Sequence, residues 1–311
     1  MNALIIGGAG FVGGYLTEYL NRTGARVFVT KISGDRFDGK ADGVFDVDLL
    51  DKASLQRALR ESRPNLIFHL AAQSSVALSW KEPALTVDVN IKGCLNVLDT
   101  VRDEGGNPKI ILVGSGEEYG KGGNTGEPIG EVMAAEPMNI YAATKACQGM
   151  VGRIYSEAYG MDIVMTRSFN HTGPKQSPLF VVSDFCRQIA LIEKGVNPAV
   201  MKVGNLSAKR DFTDVRDVVK AYALLAEKGR RGEVYNVGSG NAIAIEDILK
   251  TALSLSKVKI TVETDPAKLR PVDVPIIEAD ISKIKNDTGW QPVISIEQTV
   301  SDTLSYWREQ L

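Results

Sequence analysis

The chain has 311 residues, 44% hydrophobic and 24% charged, with a formal net charge of −2. That balance excludes a disordered chain, and no global positive field exists to draw nucleic acid or an anionic membrane. Any anionic ligand must therefore meet local cations. No apolar run approaches membrane-spanning length and the N-terminus enters a strand pattern at once, so neither a membrane partner nor a signal peptide is expected. Cys94, Cys147 and Cys186 lie far apart with no CxxC pair, which fits free thiols in a reducing compartment. The expectation is a cytoplasmic enzyme without a bound metal.

The apolar run Asn2 to Ile6 ends in glycines and predicts a buried parallel strand. Phe11, Tyr15, Leu16, Tyr19 and Leu20 follow at helical spacing, then Arg26 to Thr30 returns to a strand. A short strand over Val44 to Val47 precedes a helix through Leu55 and Leu59, and Asn65 to Leu70 is the next strand. Pro83 opens a long helix to about Val101, since proline is tolerated in a first turn. Strands at Lys109 to Val113 and Asp162 to Thr166 flank a helix over Tyr141 to Tyr159. This alternation predicts an α/β fold, a doubly wound parallel sheet with ligands at the carboxyl ends of its strands. From about Asn170 the alternation weakens, with helices expected over Phe180 to Glu193, Val215 to Ala226 and Ile245 to Leu255. The expected division is a dinucleotide-binding domain over residues 1–169, with returning segments near 211–240, and a mainly substrate-binding lobe of mixed α/β structure over 170–311.

Gly7-Gly8-Ala9-Gly10-Phe11-Val12-Gly13 stands between the first strand and the first helix. Gly7 permits the tight turn, Gly10 lets the backbone approach a pyrophosphate, and Gly13 allows close helix packing. The helix N-terminus adds free N–H groups and a positive dipole end. The second strand ends at Thr30-Lys31 with Arg36 shortly after, where an NAD site usually carries an acid. A small hydroxyl and two cations suit a 2′-phosphate, so NADP(H) is the expected cofactor and NAD(H) the alternative. Asp48 either accepts from the adenine amino group or caps the helix that starts near Asp51.

Tyr141 and Lys145 stand four residues apart on one helical face. A lysine cation near a phenol favours phenolate and lowers its pKa from about 10, which makes Tyr141 a usable proton donor or acceptor. Ser115 closes the preceding strand, where a hydroxyl can steady a substrate oxygen. Ala146, Met150 and Ile154 form a stripe on the same helix that predicts packing against its own sheet.

Over nearly its full length the chain resembles the extended short-chain dehydrogenase/reductase superfamily. The matching pieces are GGAGFVG at 7–13, HLAA at 69–72, Asn90 within DVNIKG, the serine of GSGEEYG, YAATK at 141–145 and RDFTDVRD at 210–217. Within it, SFNHTGP at 168–174, FVVSDF at 180–185, KVGNL at 202–206 and LRPVDVP at 269–275 resemble the family of GDP-4-dehydro-6-deoxy-D-mannose reductases and their sister GDP-mannose 4,6-dehydratases.

The resemblance implies cofactor contacts from Gly7, Gly10, Phe11, Val12, Gly13, Asp48, Leu49, Leu70, Ala71, Ala72, Asn90, Tyr141 and Lys145. It implies a GDP-sugar held by Asn170 near its glycosyl phosphate, by Arg210 and Arg270 about the diphosphate, and by Lys202. Val181 and Asp184 match the part that meets guanine, where a carboxylate accepts from the N1–H and amino group. His69 and His171 fall on framework positions. The helices after Pro83 and at Tyr141 pair with their mates in this superfamily, so a homodimer is expected.

Glu117 divides the sister activities. In the dehydratase the corresponding glutamate removes the proton beside a transient ketone, whereas reductases of this branch carry Glu-Glu before Tyr-Gly, as Glu117-Glu118-Tyr119-Gly120 does here. The shorter chain also fits the reductase. The implied reaction is NADPH-dependent reduction of the C4 ketone of GDP-4-dehydro-6-deoxy-D-mannose to GDP-D-rhamnose. The 4,6-dehydratase and a nucleotide-sugar epimerase are the rival enzymes. A sensor that binds NADP without turnover is the rival from another class, and it has no use for Ser115, Tyr141 and Lys145 together.

Overall fold

The computed structural model describes residues 1–123, 126–268 and 274–311. The first half alternates strands and helices: β1 (Asn2–Ile6), α1 (Phe11–Arg22), β2 (Arg26–Lys31), β3 (Gly43–Asp46), α2 (Lys52–Ser62), β4 (Leu66–His69), α3 (Val76–Lys81), α4 (Pro83–Val87), α5 (Gly93–Asp103), β5 (Lys109–Ser115), α6 (Ile140–Tyr159) and β6 (Ile163–Ser168). The second half adds β7 (Asn170–Thr172), α7 (Val181–Glu193), β8 (Val200–Val203), β9 (Lys209–Asp214), α8 (Val215–Lys228), β10 (Val234–Val237), β11 (Ala242–Ala244), α9 (Ile245–Ser254), β12 (Thr261–Thr264), β13 (Ile276–Ile277), α10 (Ser282–Thr288) and α11 (Ile296–Gln310).

Seven strands form one parallel sheet in the order β10-β6-β5-β4-β1-β2-β3, the doubly wound arrangement expected from the alternation. Ile5, Phe68, Ile111 and Val164 line one face with α1 and α8, through Leu16, Val218 and Leu225. Leu4, Ile67, Ile110 and Met165 line the other with α2 and α5, through Leu55, Leu59 and Leu98. Burying each such side chain contributes about 1.5–3 kcal/mol, so the strands are apolar on both faces. The chain turns from β1 to β2 on one side and places β4 on the other. The glycine loop after β1 therefore lies at the point where strand order reverses, a place where such sheets bind ligands.

Beyond residue 169, β9 pairs with β7, β11 and β13, and β8 pairs with β12. Between them α7, α9 and α11 bury Phe185, Ile189, Ile248, Val300 and Leu304 in a separate core. β10 leaves this region and joins the large sheet beside β6.

The long helix expected from Pro83 is interrupted. α4 ends at Val87, a π-helical turn spans Asp88–Lys92, and α5 continues from Gly93. The wider turn rotates Asn90 inward, where its side chain makes three hydrogen bonds.

Candidate active site

The glycine loop is shaped by contacts only glycine allows. Gly7 has φ +87°, and a Cβ there would stand 2.8 Å from the Ala71 nitrogen. A Cβ on Gly13 would stand 2.6 Å from Gly7 O, Gly8 Cα and Gly8 O, so α1 rests directly on the loop. Gly10 is the N-cap of α1 without a side-chain cap, and no acid occupies the first turn. The free N–H groups and dipole of that end suit an anion. Leu70 and Ala71 both donate their N–H to Ile6 O, which places the 70–72 segment against the loop. Phe11 stacks on His171 with the rings 6.4 Å apart, and Val12 packs on the core beneath.

At the outer end of the sheet, a cleft of about 430 Å³ is lined by residues that include Ser33, Asp46, Asp48 and Arg57. Two residues expected near a ribose 2′-phosphate have protein partners here. The Thr30 hydroxyl accepts from the Gly7 N–H at 3.1 Å and so braces the glycine loop. Lys31 pairs with Asp46 at 2.5 Å, because the β2–β3 register sets the two residues opposite one another. Arg36 is exposed. Asp51 is the N-cap of α2, accepting from Ala53 N, while Asp48 accepts from Leu50 N in a local turn. The capping alternative for Asp48 thus goes to Asp51. Leu49 is buried and its carbonyl accepts from Asn96.

Ser115 ends β5, and its hydroxyl accepts from the Glu117 N–H at 3.2 Å. Tyr141 lies in the first turn of α6, which Asn139 caps through Ala142 N. Lys145, one turn on, is 3% exposed and donates to Val113 O at 2.8 Å and Gln148 Oε1 at 3.2 Å. The Gln148 amide donates to the same Val113 carbonyl. Gln148 was not legible as a site residue, since a lone amide one turn beyond a lysine has no signature. Asn90 donates to Thr144 Oγ1 and accepts from Gln73 N, tying the π turn to α6.

The electrostatics reverse one sequence expectation. Burial pushes the Tyr141 phenol up to about 12, and Glu117 and Glu118 push the same way, while the Ser115 side chain alone opposes them. Lys145 does not lower it, because its ammonium is turned to the strand carbonyl. Burial brings Lys145 itself down to about 8, against Cys94 and Glu118. Glu117 is half-buried, and Asn139 donates to its Oε2 at 3.3 Å. His69 is buried with no hydrogen-bond partner at Nδ1 and is pushed down to about 3, mainly by burial. His171 holds the Phe169 carbonyl through Nδ1.

The residues matched to the sugar nucleotide form two groups. Asn170 on β7 stands opposite Phe212 of β9, two positions from Arg210. Arg210 is buried, and its Nη1 donates to Lys209 O and Val274 O at 2.8 and 2.7 Å. Farther out, Asp184 and Val181 lie in the first turn of α7. The Asp184 Oδ2 accepts from Gln188 at 2.9 Å and from Lys268 at 2.6 Å. Lys202 is exposed and paired with Glu263, while its carbonyl accepts from both Gln188 and Lys268. Arg270 lies outside the described residues.

Fold and site together define an extended short-chain dehydrogenase/reductase. A family model described as GDP-mannose 4,6 dehydratase matches residues 4–303, and the chain belongs to that family. It is 32% identical over 264 residues to a GDP-6-deoxy-D-mannose reductase of Pseudomonas aeruginosa, covering 85% of this chain and 86% of the relative. It is 30% identical over 319 residues to GDP-mannose 4,6 dehydratase 2 of Arabidopsis thaliana, covering 96% of this chain and 84% of the relative. Among solved structures it is similar to RMD from Pseudomonas aeruginosa complexed with NADPH, with a TM-score of 0.89 and 29% identity over the whole of both chains. It is equally similar to a Thermus thermophilus UDP-glucose 4-epimerase in complex with NAD, at a TM-score of 0.89 and 30% identity over the whole of both. The chain is thus built as a GDP-sugar-modifying enzyme of this superfamily.

Proposed function

We propose that the protein reduces the C4 ketone of GDP-4-dehydro-6-deoxy-D-mannose to GDP-D-rhamnose with NADPH. The observation that carries this reading is the likeness to the Pseudomonas aeruginosa GDP-6-deoxy-D-mannose reductase, with Ser115 and Tyr141 in contact at the carboxyl end of β5. Burial keeps the Tyr141 proton in place through neutral pH, the form that can protonate an alkoxide. A bound NADPH supplies the hydride, and the glycine loop fits its diphosphate because no side chain or acid obstructs the α1 N-terminus. Ser115 orients the ketone oxygen, Tyr141 delivers the proton and Lys145 fixes the ribose side of the site.

Asn170 and Arg210 hold the diphosphate end, and Asp184 takes the guanine edge once Lys268 turns aside. Residues 1–169 carry the cofactor, and 170–311 mainly the sugar nucleotide. Trp80, Leu85, Met150 and Ile154 are exposed apolar residues on α3, α4 and α6, and we assign them to a homodimer interface. Of the Ala146, Met150, Ile154 stripe, expected to pack on its own sheet, Ala146 is buried whereas Met150 and Ile154 are exposed.

The second reading, a 4,6-dehydratase, is favoured by Glu117, which lies close enough to raise Tyr141. Purified protein with NADPH and GDP-4-dehydro-6-deoxymannose separates the two. Stoichiometric loss of nicotinamide absorbance, with a rhamnose configuration by NMR, supports the reductase. Dehydration of GDP-mannose without net NADPH loss would mean that Glu117 is the working base.

A further inference from the structure

Asp184 has a cationic neighbour that no motif in the sequence signalled. Lys268 ends a short helical turn, Pro266–Lys268, in which the Asp265 carbonyl accepts from Lys268 N and the Asp265 carboxylate from Ala267 N, both at 3.0 Å. Gly204, just past β8, lets this turn come close: a Cβ there would stand 2.8 Å from the Lys268 carbonyl oxygen. The backbone thus sets the lysine against β8, and its side chain crosses to α7.

One amide ties α7 to β8. Gln188 accepts from Lys202 N at 3.0 Å, and donates to Lys202 O at 3.1 Å and to Asp184 Oδ2 at 2.9 Å. Lys268 Nζ donates to the same two oxygens, Asp184 Oδ2 at 2.6 Å and Lys202 O at 3.0 Å. Asp184 Oδ1 holds no hydrogen bond among the described residues. An ammonium carries three protons, and two of them are engaged here. An open acceptor and an open donor therefore stand side by side, on side chains that water still reaches.

Apolar surface adjoins them. Phe180, whose carbonyl accepts from the Asp184 N–H at 2.8 Å, is exposed, and so is Leu179 before it. Apolar surface beside a donor and an acceptor suits a planar heterocycle. The order of the two polar groups selects which one. Guanine presents O6 beside N1–H, and its 2-amino group gives the carboxylate a second donor. Adenine reverses the order, with an amino group toward the ammonium and a bare ring nitrogen toward the carboxylate. Uracil offers a carbonyl beside an N–H, but its second carbonyl then meets the carboxylate where guanine sets an amino group.

We propose that Lys268 is a specificity-determining residue, donating to O6 of a guanine whose N1–H and amino group are taken by Asp184. This rests on the reading that the lobe holds a GDP-sugar. As the base enters, the ammonium turns from Oδ2 to O6 and stays on the Lys202 carbonyl, so both carboxylate oxygens meet the two guanine donors. A site built to hydrogen-bond a given group rejects an analogue that lacks it, because its own polar groups are then left unpaired.

The test is calorimetric titration of the full-length protein and its Lys268→Met variant with free nucleoside diphosphates. GDP is compared with IDP, which lacks the 2-amino group, and with 2-aminoadenosine diphosphate, which keeps that group but has an amino group in place of O6 and no N1–H. Lys268→Met should bind GDP and IDP each about tenfold more weakly, the loss of one charge-assisted hydrogen bond. It should bind 2-aminoadenosine diphosphate no more weakly than the wild type does. Lys268→Arg, which keeps a cationic donor, should hold GDP affinity within about threefold. An equal loss on all three nucleotides means a contact to the phosphates, and unchanged or tighter GDP binding means a lysine that merely plugs Asp184. Either result overturns the proposal. A wild type that does not bind GDP rejects the GDP-sugar reading and the proposal with it. Titration needs no turnover, so a loss confined to GDP and IDP in a protein that reduces no GDP-4-ketohexose supports the base contact and rejects only the reaction.

Discussion

Replacing Lys145 with methionine should abolish turnover and yet stabilise the fold. The ammonium is 3% exposed and its pKa falls from 10.5 to about 8, chiefly through burial. At neutral pH that difference is a cost of about 3 kcal/mol to the folded state. Methionine fills similar volume without the charge. The substitution removes the donor to Gln148 Oε1, worth about 1 kcal/mol, while Val113 O keeps its bond from the Gln148 amide. The net gain at pH 7 is about 2 kcal/mol. The sign of the pH dependence follows from linkage. Between pH 8 and 10.5 the unfolded chain keeps the lysine proton and the folded protein releases it, so wild-type stability rises with pH across that window. The variant lacks this rise, and the two proteins converge toward pH 10.5. Urea unfolding of both at pH 7 and pH 9.5 measures it. A variant less stable than wild type at pH 7, or an unchanged gap at pH 9.5, would refute the buried-ammonium cost.

Tyr141→Phe should lower turnover by about 10²–10⁴-fold, the usual worth of a positioned proton donor, while NADPH affinity stays within about twofold; near-normal turnover removes Tyr141 from that role. Gly13→Ala drives a Cβ into three backbone atoms at 2.6 Å, and should weaken NADPH binding at least about tenfold and cost about 2 kcal/mol of stability. Fluorescence titration checks the first effect and urea unfolding the second, and wild-type values in both would place the cofactor elsewhere. Asp46→Asn releases Lys31 from its ion pair, so the NADPH-to-NADH ratio of kcat/KM should rise about threefold or more, and Lys31→Ala with Arg36→Ala should lower it. A ratio unmoved by both substitutions takes Lys31 out of cofactor selection.

What the sequence conveyed plainly was what short spacing controls. Strand, glycine turn and helix follow one another within the first 22 residues, and the site they build was legible because each glycine answers a local steric demand. Tyr141 and Lys145 were legible as a pair for the same reason, since helical spacing alone sets them on one face. Contacts across strands were not legible. Lys31 looked like a free cation until the β2–β3 register set Asp46 against it, and register depends on the whole sheet. Returning segments were expected near 211–240, but Val234–Val237 is four residues between turn-forming stretches, and its pairing with β6 is what singles it out as the strand that joins the central sheet. The π turn over Asp88–Lys92 inserts one residue, and neither glycine nor proline lies within it to signal the change.

The two adjacent glutamates show why burial has to be known before charge can be interpreted. In sequence, Glu117 and Glu118 are equivalent acids in one turn, and the nearby lysine promises a lowered phenol pKa. In the fold, Glu118 turns under β5 onto Arg167 and Glu117 turns toward Asn139. The phenol then meets two carboxylates and little water, while Lys145 faces a carbonyl. The result is an acid that holds its proton beside a cation that barely holds its own. A raised phenol pKa makes Tyr141 a weaker acid than free tyrosine, one that keeps its proton through neutral pH until an alkoxide develops beside it.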